Sequence, residues 1–252
     1  MQRYFLEATS QDGEQITLSP AIYHHWVTVL RAEVGAEAEF VDDTAHLFHG
    51  QLLAVTGDAA TVKLTAVPTP AVELPVGVTI ICGLPKQEKA EWITQKATEL
   101  GVDHVIFYAA DWSVAKWQPN KVAKKLARLT KIAHGAAEQA HRLRRPDVSY
   151  APNLRTALET PHDVALVAYE ESAKQGEQSA LNQQLQALTS GQRVVAVFGP
   201  EGGISPAEVA QAQDLNATLV GLGPRILRTE TAPLYFLSAV SMVLELQQGS
   251  HS

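Results

Sequence analysis

From Val76 onward, short apolar runs alternate with longer stretches of helical periodicity, and this constrains the fold more than any other feature of the chain. Val78–Cys82, His104–Tyr108, Val164–Ala168, Arg193–Phe198 and Thr218–Leu222 have the length and β-branched content of buried strands. Between the first two, Gln87 to Leu100 places Ala90, Ile93, Ala97 and Leu100 on one helical face and stops at Gly101, a residue suited to a helix C-terminus. Such alternation predicts an α/β fold, a mostly parallel sheet covered by helices. Sheets of this kind bind ligands beyond the carboxyl ends of their strands. The loops that follow strands are therefore where chemistry is expected.

The first 67 residues follow a different rule. Glu37 to Asp42, Leu47 to Val55 and Ala60 to Val67 read as short strands, with Gly57-Asp58 turning the last pair. One short helix starts at Ser19-Pro20, an N-cap followed by a proline in the first helical position, and sets Ile22, Trp26, Val29 and Leu30 on one face. This pattern suggests a small β-barrel. Pro68 to Pro75 carries three prolines and no periodic pattern, as a linker does. The expected division is a barrel domain over residues 1–70 and an α/β domain over residues 71–252.

The chain is 252 residues long, 46% hydrophobic and 19% charged, an ordinary globular balance. Its single cysteine, Cys82, lies inside an apolar run and reads as a buried small hydrophobe. One cysteine excludes an internal disulfide, and the histidines form no metal-spaced cluster, so no metal is expected. No apolar stretch approaches the roughly 20 residues of a membrane helix, and the N-terminal residues lack the apolar core of a signal peptide. A cytoplasmic protein with no membrane partner is the expectation.

Charge is unevenly placed. The net charge is −7, yet Trp112 to Pro146 holds nine basic residues against one acidic residue, Glu138. That strip carries +8 and the remainder −15. Charge alone fits a phosphate-binding face and a solvated helix face equally.

Three connections stand out. Gly199-Pro200-Glu201-Gly202-Gly203 follows a strand and leads into Ser205-Pro206-Ala207-Glu208, which has the form of a capping box. Its glycines let backbone N–H groups approach a ligand, though a purely structural turn uses the same residues. The loop lacks the ending of a P-loop and the spacing of a dinucleotide fingerprint. The second connection, Gly221 to Pro233, places two arginines, two threonines and a glutamate among apolar residues before the apolar stretch Leu234 to Leu246. A surface turn has no reason to hold Ile226 and Leu227, and a ligand-facing or packed loop does. The third ends the basic strip, where Arg142, Arg144 and Arg145 suit either a phosphate clamp or a helix C-terminus. No nucleophile-and-base pair is evident, which argues against covalent catalysis.

Taken together these segments resemble the RsmE family of ribosomal RNA uridine-N3 methyltransferases, of the SPOUT class. The resemblance rests on Val29-Leu30-Arg31, Lys96 to Val102, Glu138-Gln139 with Arg142 and Pro146, Gly199 to Gly203, and Leu222 to Ala232, in the family's order. It implies an N-terminal PUA-like barrel and a C-terminal deep trefoil knot, a topology that pattern alone would not suggest. It implies S-adenosylmethionine as cofactor, held by Ala168, Tyr169, Gly199, Pro200, Glu201, Gly202, Leu222, Gly223, Ile226, Leu227, Arg228, Thr231 and Ala232. It further implies a homodimer, and a uridine in the decoding region of 16S rRNA, in the small ribosomal subunit, as substrate. Arg3, Arg31, Lys86, Arg142 and Arg225 are the RNA-contact candidates. Arg228 is the first candidate to stabilise a uridine anion, with Glu201 or Glu230 accepting the N3 proton. In one place the chain departs from the family. Where members commonly have an arginine before a serine, this sequence has Trp112-Ser113, which exchanges a charge for a stacking surface. The competing readings are a SPOUT-class enzyme acting on another base or a ribose, a non-catalytic RNA-binding assembly factor, and a phosphate-ligand enzyme using the 199–203 turn.

Overall fold

The computed structural model describes residues 1–169 and 178–247. The chain divides into two compact units, residues 1–73 with 138–144, and residues 74–137 with 145–252. The division falls in the proline-rich linker. Residues 138–144, which the sequence pattern assigned to the second domain, belong to the first unit.

In the first unit, strands β1 (Arg3–Phe5), β2 (Gln15–Thr17), β3 (Glu37–Val41), β4 (Leu47–Thr56) and β5 (Ala59–Ala66) form one sheet in the order β1-β3-β4-β5-β2. β1 and β3 are parallel, and the remaining pairs are antiparallel. Gly57-Asp58 makes the β4–β5 turn, as the sequence indicated. Tyr4, Trp26, Phe40, Leu52 and Leu64 fill the core beneath the sheet. Ser19 caps α1 (Pro20–Tyr23) by accepting from the Ile22 N–H. The expected single helical face does not persist, because His24–Val29 winds as a π-helix. Its wider turn breaks the 3.6-residue period, so Trp26 is buried while Val29 and Leu30 are exposed.

In the second unit, β6 (Gly77–Gly83), β7 (His104–Tyr108), β8 (Asp147–Ala151), β9 (Val164–Ala168), β10 (Arg193–Phe198) and β11 (Thr218–Val220) form a sheet in the order β11-β9-β10-β6-β7-β8. All of its pairings are parallel. Alternate residues of each strand feed opposite layers. Val78, Ile80, Val105, Phe107, Val194 and Ala196 pack with α2 (Lys89–Glu99), α5 (Gln178–Ala187) and α7 (Ala232–Ser241). Ile81, Ile106, Ala165, Val167, Val195 and Val197 pack with α4 (Leu154–Leu158) and α6 (Pro206–Asp214). Burial on both faces explains why these strands read as continuous apolar runs. Cys82 is fully buried in the first of these layers. α3 (Pro119–Gln139) is amphipathic, burying Leu129, Ala133, Ala136 and Ala137.

Several boundaries differ from the sequence reading for physical reasons. α2 begins at Lys89 because Gln87 has φ +57°, outside helical geometry. β11 stops at Val220, releasing Gly221 and Leu222 into a loop. β8 and β2 went unseen: both are edge strands with polar residues and little burial, so neither produces an apolar run.

Order within the second sheet places the site. From β6 the chain moves outward to β7 and β8. From β10 it moves the other way, to β11 beyond β9. The β6/β10 boundary is thus the switch point, where adjacent strand ends diverge and leave a crevice. A Cβ on Gly83, at the end of β6, would lie 2.5 Å from Pro200 Cδ, so the loop after β10 sits directly against the end of β6.

Candidate functional site

A cavity of about 680 Å³ opens beyond the strand ends of the second unit, within the usual size of a small-molecule site. Three loops build it, following β9 at Ala168-Tyr169, β10 at Gly199–Ile204, and β11 at Leu222–Thr229. Ser205 starts α6 with a full capping box, since its side chain accepts from Glu208 N–H while the Glu208 carboxylate accepts from Ser205 N–H. That fixes the exit of the glycine turn.

Every residue expected to hold the cofactor lines this cavity except Thr231. Thr231 stands at the start of α7, where its N–H donates to the Arg228 carbonyl at 2.8 Å. Arg228 is exposed and lines the cavity, and so is Arg225, expected instead on the RNA side. Phe198, Gly203, Ile204, Thr229 and Lys89 also line it and were not foreseen.

Lys89 is the most consequential of these. Its Nζ donates to Glu201 Oε1 at 2.9 Å and lies 2.9 Å from Glu230 Oε2. The Lys86 N–H donates to the same Glu201 oxygen at 3.2 Å. One ammonium therefore ties the start of α2 to the glycine turn and to the loop before α7. Partial burial, the largest single influence, raises each carboxyl, but the hydrogen bond from Lys89, the backbone N–H groups and the nearby positive charge together outweigh it, and both Glu201 and Glu230 lie below the ordinary carboxylate value. Hydrogen bonds to Glu201 and then Glu230 raise Lys89 in turn. Two carboxylates held ionised by a shared cation are weak bases, and Glu230 lines a neighbouring depression rather than the cavity itself. Their geometry is that of a clamp between loops.

Trp112 reaches the same cavity from the loop after β7. Gly202 must be glycine here because a Cβ would lie 2.9 Å from the Trp112 carbonyl oxygen and 3.0 Å from its Cβ.

The expected RNA contacts divide. Arg31, Lys86 and Arg225 are exposed. Arg3 and Arg142 are each only 3% exposed, which corrects the expectation that they face phosphates. Arg3 pairs with Glu39 at 2.9 Å and donates to the carbonyls of His141 and Arg142. Arg142 donates to Glu73 through Nε at 3.1 Å and through Nη2. Glu73 also accepts from the N–H groups of Leu143 and Arg144. A guanidinium buried on a carboxylate is not available to a ligand. Lys116, Lys121, Lys124, Lys125, Arg128 and Lys131, which belong to the second unit, are all exposed. Among the described residues no helix is long and apolar enough to cross a membrane, and no group of three potential ligands is placed to hold a metal ion.

Comparison with known proteins agrees with this geometry. Residues 72–241 match the RNA methyltransferase domain family. Ribosomal RNA small subunit methyltransferase E of Bacillus subtilis is 41% identical over 254 residues, covering 99% of each chain. The enzyme of that name from Mycobacterium tuberculosis is 35% identical over 181 residues, 69% of this chain and 66% of that one. Among solved structures, Neisseria gonorrhoeae ribosomal RNA small subunit methyltransferase E bound to S-adenosylmethionine matches with a TM-score of 0.81 and 28% identity, covering 96% of this chain and 98% of that one. A Legionella pneumophila structure reported as a methyltransferase with bound S-adenosylmethionine also matches at 0.81, with 26% identity and 95% and 96% coverage. With a full-length relative at that identity and a family match over most of the α/β unit, the chain belongs to the RNA methyltransferase family, among the small-subunit methyltransferase E proteins.

Proposed function

We propose that the protein methylates N3 of a uridine in the decoding region of 16S rRNA, in the small ribosomal subunit, using S-adenosylmethionine. The observation that carries this reading is the cavity at the β6/β10 switch point, whose lining includes every residue expected to hold that cofactor except Thr231, Arg228 among them.

The lining suits the group. Gly199, Gly202 and Gly223 leave backbone exposed for polar contacts, while Phe198, Leu222 and Leu227 offer apolar walls to an adenosine. When bound, S-adenosylmethionine supplies an activated methyl group, so the protein's task is positioning and electrostatics. Uridine N3 carries a proton and becomes nucleophilic as that proton passes to solvent water, after which N3 takes the methyl group as its bond to sulfur breaks. The Arg228 guanidinium stabilises the negative charge that then spreads to O2 and O4. Glu201 and Glu230, ionised and tied to Lys89, hold the loops in place. We assign them to that role rather than to proton transfer.

RNA affinity comes from the exposed basic face of α3, with Arg225 and Lys86 nearer the cavity in sequence. We read the first unit as a PUA-like barrel, supported by its mixed five-stranded sheet and by the resemblance. The C-terminal trefoil knot has the same source, and the convergence of the segments after β10 and β11 on one cavity accords with it. A homodimer is supported by apolar side chains left exposed at Ile226, Tyr235, Met242 and Leu246. The cytoplasm, where ribosomes assemble in bacteria, is the corresponding location.

The test is incubation with labelled S-adenosylmethionine and small subunits from a strain lacking this modification, beside naked 16S rRNA, with nucleosides identified by mass. Label in N3-methyluridine is expected. Label in another nucleoside overturns the substrate, and cofactor binding without any label overturns the reaction.

A further inference from the structure

The loop after β7 contains a feature that the cofactor site does not require. Trp112 is 49% exposed, yet it lines the cavity rather than the outer surface. A large ring left half open to solvent beside a ligand site, with no ring or cation contact on it among the described residues, offers an unused stacking face. Trp92, also about half exposed, differs because the Lys96 ammonium covers its ring at 5.3 Å.

Residues on both sides hold Trp112 in place. Ser205 Oγ donates to Asp111 Oδ2 at 2.6 Å, and the Asp111 N–H donates to Glu208. Ser113 Oγ donates to the Leu84 carbonyl at 3.3 Å, and the Ser113 N–H donates to the Ala110 carbonyl. The Trp112 backbone meanwhile packs on Gly202. The ring is thus presented from a loop anchored to the capping box of α6 and to the end of β6. A surface presented in advance loses little freedom when a ligand settles on it.

Sheet order tells which ligand. The three loops that form the proposed cofactor site follow β11, β9 and β10, which are adjacent strands on one side of the switch point. Trp112 follows β7, on the other side, with β6 between. It therefore enters the cavity from the flank opposite the cofactor loops. Trp112 is also followed four residues later by Lys116 and then by α3, whose exposed lysines are the proposed phosphate contacts.

We propose that Trp112 is the stacking platform for the RNA base that enters the site to be methylated. This rests on the methyltransferase reading above and adds the residue that receives the base. Every base has an aromatic face, so stacking secures the ring without selecting it, and hydrogen bonds at the site select it.

The test separates this inference from the reading beneath it. Steady-state kinetics on small subunits compare wild type with Trp112→Ala, Trp112→Phe and Trp112→Arg, and cofactor affinity is measured by calorimetry without RNA. Trp112→Ala is expected to raise KM for RNA about tenfold or more with cofactor affinity unchanged, and Trp112→Phe to restore most of the loss. Trp112→Arg replaces a plane with a charge, and is expected to steepen the fall of RNA affinity with salt. Intrinsic fluorescence is read separately, by titrating a uridine-containing oligoribonucleotide onto the cofactor-bound protein. Quenching is expected in wild type and is reduced in Trp112→Phe. An unchanged KM in Trp112→Ala overturns the proposal, as does weakened cofactor affinity with normal KM, which would place the cofactor on the ring. Quenching needs no turnover. If wild type methylates no RNA but shows Trp112-dependent quenching, the platform stands and the reaction assignment fails. If wild type methylates and shows no such quenching, the platform fails alone.

Discussion

At Lys89 three segments distant in sequence meet on one ammonium group, and the consequences can be worked out with signs. The folded-state values of Glu201 and Glu230 are depressed, so the stability they contribute is present above the ordinary value of 4.5 and is lost as pH falls through their lowered values. Lys89 is raised, so its contribution is complete below the ordinary 10.5 and disappears as pH rises through its raised value. Cofactor affinity should therefore be flat through neutral pH and fall in acid below the usual carboxylate range and in base above the usual lysine range. Lys89→Ala leaves two carboxylates facing each other without their cation. It should weaken cofactor binding by on the order of 1 kcal/mol, measurable by calorimetry, and unchanged affinity would count against the clamp. Arg228→Ala tests a different role. Removing a group that stabilises developing charge typically costs about 10²- to 10³-fold in kcat, and here cofactor affinity should move little. Near-normal turnover in single-turnover kinetics would remove Arg228 from catalysis. Arg228 was legible in the sequence because it lies inside a loop of unusual composition. Lys89 was not, since one lysine at a helix start belongs to no pattern until the fold brings two distant glutamates to it.

Among elements, the buried parallel strands were the most legible part of the fold. His104–Tyr108, Val164–Ala168 and Arg193–Phe198 have the bounds their apolar runs indicated, because burial on both faces keeps every position after the first residue apolar or aromatic. Edge strands such as Asp147–Ala151 lack that signature, and the π-helix His24–Val29 breaks the period on which its expected face rested. The linker was foreseen as an irregular connector, but its chemistry was not. Glu73 accepts from the Arg142 guanidinium and from two backbone N–H groups, so a residue in a proline-rich stretch anchors a turn about seventy positions away in sequence. Glu73→Ala takes the carboxylate from a buried cation and the acceptor from two N–H donors, and breaking a buried pair in this way costs about 3 kcal/mol or more. Glu73→Gln keeps oxygen and shape while losing charge, and should cost less. Denaturant midpoints for the two variants decide it, and a Glu73→Ala midpoint equal to wild type would show that Arg142 finds another partner.

For the whole molecule, the two-part organisation was legible from the change of pattern across Pro68–Pro75, but the first unit is not one continuous stretch of chain. It takes in residues 138–144, from beyond the first half of the α/β unit. No local pattern reveals such an insertion, since its evidence is tertiary: Arg3 reaches the carbonyls of His141 and Arg142, and His141 lies 2.8 Å from Glu39. This predicts how the protein tolerates being cut. A fragment of residues 1–73 keeps every strand of the five-stranded sheet but loses the partners of Arg3 at 141 and 142, and Glu73 loses Arg142. Arg3, 3% exposed in the full chain, would then exchange two carbonyl acceptors for water while keeping Glu39, at about 0.5–1.5 kcal/mol for each bond lost. A sheet of this size has little stability in reserve. The fragment should melt well below the full chain or without cooperativity, as followed by circular dichroism. Adding a synthetic peptide spanning residues 138–144, or fusing it through a flexible linker, should raise the midpoint, whereas the same peptide with Arg142→Ala should do so less. A fragment that melts like the intact first unit with no peptide present would show that 138–144 only rests on that unit and does not complete it.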